Sequence, residues 1–67
     1  MMEKWLDEVL KELSREYDYN MKIAMMFEKE RRYSASERFY QYASGINHAI
    51  AKILEAYRRI KPPKKGR

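Results

Sequence analysis

The chain has no cysteine, one histidine, two prolines and two glycines in 67 residues. Without cysteine there is neither a disulfide framework nor a thiolate metal site. His48 alone cannot form a histidine-rich metal centre, and a bundle-type di-iron site needs inward Glu-x-x-His pairs that this sequence does not contain. A glycine-rich phosphate loop, a Walker-type lysine and zinc-ligand spacing are missing as well. No apolar run approaches the roughly 20 residues of a membrane-spanning helix. Glu3, Lys4, Asp7 and Glu8 place charges where a signal peptide needs an uninterrupted apolar segment. These absences lead to the expectation of a cytoplasmic, non-enzymatic protein with no catalytic residue, no metal, no cofactor, no small-molecule substrate and no membrane partner.

The sequence does hold 45% hydrophobic and 37% charged residues, enough apolar material for one small folded domain. A single core of this size contributes only about 3–5 kcal/mol net. With disulfides and metals excluded, another macromolecule is the remaining source of stability.

Gly45 is the only glycine or proline before Pro62, and most residues between Glu3 and Lys61 are good helix formers. Two stretches carry a sustained heptad. Leu6, Leu10, Leu13, Tyr17, Asn20, Ala24 and Phe27 advance by alternating steps of four and three, and so do Phe39, Ala43, Ile46, Ile50, Ile53, Tyr57 and Ile60. That rhythm is the 3.5-residue seam of coiled-coil packing. Between the seams, Glu28 to Arg38 is almost wholly polar, and the second seam restarts one residue out of phase with the first. Ser34-Ala35-Ser36-Glu37 has the form of a capping box. Arg31 and Arg32 suit the carbonyl end of a preceding helix.

The predicted fold is all-α: an antiparallel helical hairpin over 1–61, with helices at about 3–32 and 34–61, assembling as a homodimeric four-helix bundle. A single continuous helix fits the polar gap less well. A break near Tyr17-Asp18-Tyr19-Asn20, where helix propensity is poor, stays open. Pro62 and Pro63 stop the second helix, and 62–67 forms a short basic tail.

The width of the apolar faces points to self-association. Val9, Ile23, Trp5, Tyr19 and Met26 widen the first seam on one side and Met21 on the other. Tyr42, Ala49 and Ala56 widen the second on one side, with Tyr40 and Leu54 on the other. Each face covers about half the helix circumference, more than a lone hairpin covers. The residues expected at the self-association interface are Leu10, Tyr17, Ala24, Phe27, Phe39, Ala43, Ile46, Ile50, Ile53 and Tyr57. Gly45 allows either a tolerated exposed glycine or close helix contact, and Asn20 either a register-setting or a wet-edge position. Met21, Met25 and Met26 read as core filling, Tyr33 as a contact residue at the tip, and His48 as solvated.

Charge is uneven. Residues 1–33 hold seven Lys/Arg against eight Asp/Glu, and residues 34–67 hold eight against two. Arg58, Arg59, Lys61, Lys64, Lys65 and Arg67 form a basic end suited to complementing a helix C-terminus or, in a second reading, to contacting phosphates. The functional expectation is a small interaction protein that binds itself and offers a helical surface to a protein partner. The alternative is a nucleic-acid binder acting through the basic end.

Overall fold

A computed structural model of the chain describes residues 3–60. Two α-helices, α1 (Lys4–Lys29) and α2 (Tyr33–Ile60), pack along their lengths as a hairpin, and there is no strand among the described residues. At 1.5 Å per residue they are about 39 and 42 Å long. α1 runs unbroken through Tyr17–Asn20, so the weak local propensity there yields to the seam on either side.

The reversal takes three residues. The Arg31 N–H donates to the Glu28 carbonyl at 3.0 Å and the Arg32 N–H to the Phe27 carbonyl at 2.9 Å, while Arg31 adopts φ 61°. This is a Schellman closure with arginine where glycine usually sits. The hydrophobic contact that commonly accompanies such a closure is here a cation–π contact: the Arg32 guanidinium lies 4.8 Å from the Phe27 ring centroid. Phe27 in turn meets Phe39 at 5.7 Å, and Phe39 meets Tyr42 edge-on at 5.3 Å, which ties the first turns of α2 to the end of α1.

Two boundary expectations are corrected. α1 ends at Lys29 rather than near Arg32, because the left-handed Arg31 closes its last carbonyls. α2 begins at Tyr33, with the Arg32 carbonyl accepting the Ser36 N–H at 2.9 Å. Arg32 thus serves both as the last residue of the closure and as the residue capping α2. Ser34 falls inside the first turn, and the expected capping box does not cap this helix. Ser36 instead extends the seam towards the turn and is buried. The expected stop at Pro62-Pro63 and the tail 62–67 lie outside the described residues.

Burial along the seam is uneven. Ala24 and Ala43 are 0% and 1% exposed, with Leu6, Asn20 and Ser36 also buried, whereas no large side chain among the described residues is fully enclosed. Asn20 donates from Nδ2 to the Glu16 carbonyl at 2.8 Å, so its amide is satisfied within α1 and it sits inside the seam rather than at a wet edge. Ile60, part of the expected seam, is 78% exposed at the open end of the hairpin, in one pocket with Glu3, Trp5 and Leu6. Four ion pairs among the described residues, Lys11–Asp7, Arg15–Glu12, Lys52–Glu55 and Arg59–Glu55, lie within single helices, between groups more than half exposed. Each contributes at most about 0.5 kcal/mol. The hairpin rests on its seam.

Replacing Arg31 with glycine removes the left-handed penalty of about 1 kcal/mol. The expected outcome is a rise in melting temperature of about 4–8 °C, the usual response of a domain this small to that free energy, with Arg31→Val lowering it. Thermal melts followed by circular dichroism decide it, and an unchanged or lower value for Arg31→Gly would contradict the closure.

Candidate self-association surface

One broad side of the hairpin is apolar. On α1, Trp5, Val9, Tyr19, Ile23 and Met26 follow the heptad one step beside the seam, and on α2 Tyr42, Ala49 and Ala56 do the same. Two observations establish which flanks share a side. Trp5 and Leu6 line one open pocket of about 310 Å³ with Ile53, Ala56, Tyr57 and Ile60, which puts the Trp5 flank with the Ala56 flank. On the opposite side the Tyr40 hydroxyl donates to Glu28 Oε1 at 2.8 Å, which puts Tyr40 with Glu28. That hydrogen bond to a carboxylate, followed by desolvation and the Glu28 charge, holds the Tyr40 phenol above its usual pKa.

The two sides differ in chemistry. The Trp5 side exposes Trp5 (65%), Tyr19 (62%), Tyr42 (51%), Met26 and Val9, with Glu12 and Glu16 as the charges on the α1 stripe and Arg38, Lys52 and Arg59 on the α2 stripe. The Tyr40 side carries Asp7, Ser14, Asp18, Glu28, Asn47 and Arg58 around Met21, Met25 and Leu54. With about 150–250 Å² for a fully exposed aromatic side chain, the exposed fractions of Trp5, Tyr19, Tyr42, Met26 and Val9 leave on the order of 400–650 Å² of uncovered surface on the first side. A typical monomer's largest apolar patch is about 300–600 Å², and one half of a standard protein interface is about 800 Å².

The structure divides the residues expected at the interface. Ala24 and Ala43 are already enclosed between the two helices of one chain and have no surface left to offer. Leu10, Tyr17, Phe27, Phe39, Ile46, Ile50, Ile53 and Tyr57 are half-buried along the same seam. The uncovered surface belongs to the flanking stripe, which the heptad register places next to the seam. Gly45 lies on this side with no atom within 4 Å of where a Cβ would stand, so the hairpin itself does not require a glycine there. His48 is exposed, and Tyr33 stands 62% exposed at the tip.

Among the described basic residues, Arg58 and Arg59 are exposed, with Arg59 3.9 Å from Glu55. Lys61, Lys64, Lys65 and Arg67 lie outside the described residues. The hairpin places Arg31, Arg32 and Arg38 around an open depression at the opposite end of the rod, a second basic group that the sequence analysis did not single out. No helix of the described residues is long and apolar enough to cross a membrane, and no group of three or more acidic, His or Cys residues among them is placed to hold a metal ion. Comparison with protein-family models, curated proteins and solved structures found no match.

Trp5 is the only tryptophan and sits on the apolar side, so it reports on whether that side is covered. Its fluorescence emission is expected to shift to shorter wavelength as protein concentration rises through the micromolar range, with helicity rising in parallel. Emission independent of concentration and characteristic of a hydrated indole would show the side uncovered.

Proposed function

We propose that this chain is a non-enzymatic interaction protein whose working form is a homodimeric four-helix bundle, made by two hairpins covering each other's Trp5 side. The observation that carries this reading is the gathering of exposed aromatic and aliphatic side chains on one side of the hairpin, to which covering of the half-buried seam adds in a four-helix bundle. In such a dimer the Tyr40 sides face outward. They carry Met21, Met25 and Tyr33, adaptable and aromatic groups suited to docking another protein's helix or loop.

Stability and association are then linked, because the seam of one hairpin is only half-buried until the second covers it. Sedimentation equilibrium is expected to give a dimer at micromolar concentration and a melting temperature that rises with concentration. Ala49→Glu with Ala56→Glu sets four carboxylates into the dimer interface without touching Ala24 or Ala43. It is expected to abolish the dimer and lower the melting temperature by more than 10 °C. Ile50→Asp with Ile53→Asp strikes the seam itself and is expected to unfold and dissociate the protein together. A stable 8.2 kDa monomer at all concentrations would overturn the reading.

The nucleic-acid reading is supported by the exposed Arg58 and Arg59 at one end of the rod and the three arginines at the other. It requires binding to generic single- or double-stranded nucleic acid at about 50 mM salt, with log K falling by roughly 0.7–0.9 per phosphate contact against log salt. Arg58→Ala with Arg59→Ala is then expected to flatten that slope. Full-length protein that shows no binding at low salt would end this second reading.

A further inference from the structure

Resting on the self-association just proposed, the geometry points to a dimer in which a second copy docks on the Trp5 side with both turns at the same end of the bundle. Two isologous packings cover that side. Rotation about the long axis keeps the turns together and lays α1 of each copy over α2 of the other. Rotation about an axis across the helices sends the turns to opposite ends and lays α1 on α1 and α2 on α2.

Shape separates them. The exposed stripe of α1 is bulky, led by Trp5, Tyr19 and Met26, whereas that of α2 is small at Gly45, Ala49 and Ala56, with Tyr42 its one exposed aromatic. Placing α1 over α2 sets Trp5 beside Ala56 and Tyr19 beside Gly45 and leaves Tyr42 to pack against Ile23 and Met26 near the turn. Placing like on like opposes bulky to bulky on one side and leaves small facing small on the other, which parallel rods cannot fill together. The open space at Gly45 is then where a bulky α1 residue of the second copy enters.

Charge separates them in the same direction. Glu12 and Glu16 lie near the middle of α1, on its apolar stripe. With the turns at opposite ends, α1 meets α1 about its middle, and the two Glu16 carboxylates converge inside an apolar interface, with Glu12 of each copy, paired to Arg15 at 2.7 Å, close by. With the turns together, the pairing of levels seen within one hairpin (Trp5 and Leu6 beside Ala56 and Tyr57) brings Glu12 to Lys52 and Glu16 to Ala49 of the second copy. Lys52 is exposed and holds Glu55 only loosely, at 3.7 Å. It is therefore free to turn to the incoming carboxylate.

The chain has no cysteine, so single exposed cysteines can be labelled specifically. Glu30→Cys at the turn and Arg59→Cys at the other end, each carrying a nitroxide, are measured by pulsed dipolar spectroscopy on the full chain at a concentration where sedimentation is also recorded. The expected result is a label separation under about 30 Å in both variants, the width of a four-helix bundle plus the label arms. Separations of about 40 Å or more in both, one helix length, would overturn the turn-together packing while leaving self-association standing. A mixture of short and long separations would overturn the unique packing. Absence of dipolar coupling together with a monomeric sedimentation profile would overturn the self-association on which this inference rests. As a second readout, Lys52→Glu is expected to weaken the dimer at least tenfold and Glu12→Lys in the same chain to restore most of that loss. No effect from Lys52→Glu would count against the pairing.

Discussion

Two helices in one layer touch along a single line, and the rest of this structure follows from that limit. Full burial reaches only residues small enough to sit where the backbones approach, Ala24 and Ala43, with Ser36, Asn20 and Leu6 close behind. Most bulky members of the same heptads reach past the line of contact and stay partly exposed. A third or fourth helix would be needed to enclose them, and the chain has none among its described residues. The hairpin is thus an unfinished core, and its chemistry is the chemistry of completing it.

The turn determines how that core is presented. Closing α1 with a left-handed arginine and starting α2 on the next residue keeps the connection to Glu30–Arg32. A link this short leaves the helices no freedom to slide. The Arg32–Phe27–Phe39–Tyr42 chain of contacts then fixes which side of α2 faces which side of α1. Flanking residues that belong to separate helices in the sequence thereby become one surface, with Trp5 beside Ala56 and Ile60 at the open end. The opposite side mixes polar groups with Met21, Met25 and Leu54 and carries the Tyr40–Glu28 hydrogen bond.

The same geometry separates the basic groups. An antiparallel pair puts the arginines of the turn at one end and Arg58 and Arg59 at the other, so positive charge is concentrated at the two ends of the rod. Between them α1 carries charges of both signs, partly paired as Lys11–Asp7 and Arg15–Glu12, and α2 few charges of either sign. A polyanion therefore meets positive charge chiefly at the ends of such a rod.

How much of this was legible in the sequence follows from the range of the forces involved. The two helices, their seams and the break between them come from local pattern: a four-and-three apolar rhythm, an eleven-residue polar gap and a slip of one residue in phase. Those signals lie within a few turns of each residue they govern, so reading along the chain is sufficient. The place of the turn to within a few residues was legible too, but not its chemistry. Ser34 and Glu37 have the spacing of a cap, yet the helix starts at Tyr33 because Arg31 accepts a conformation that its side chain disfavours, and that choice depends on Phe27 and Phe39 from opposite helices. The breadth of the apolar faces could be counted residue by residue. Which flank of α1 lies with which flank of α2 could not, because it depends on rotation about each helix axis, set only when the seams interlock. The sequence by itself determined that there would be two helices with more apolar surface than one hairpin can cover. Tertiary packing alone decided where that surface lies, by spending Ala24 and Ala43 inside the chain and turning Trp5, Tyr19 and Tyr42 outward on one side.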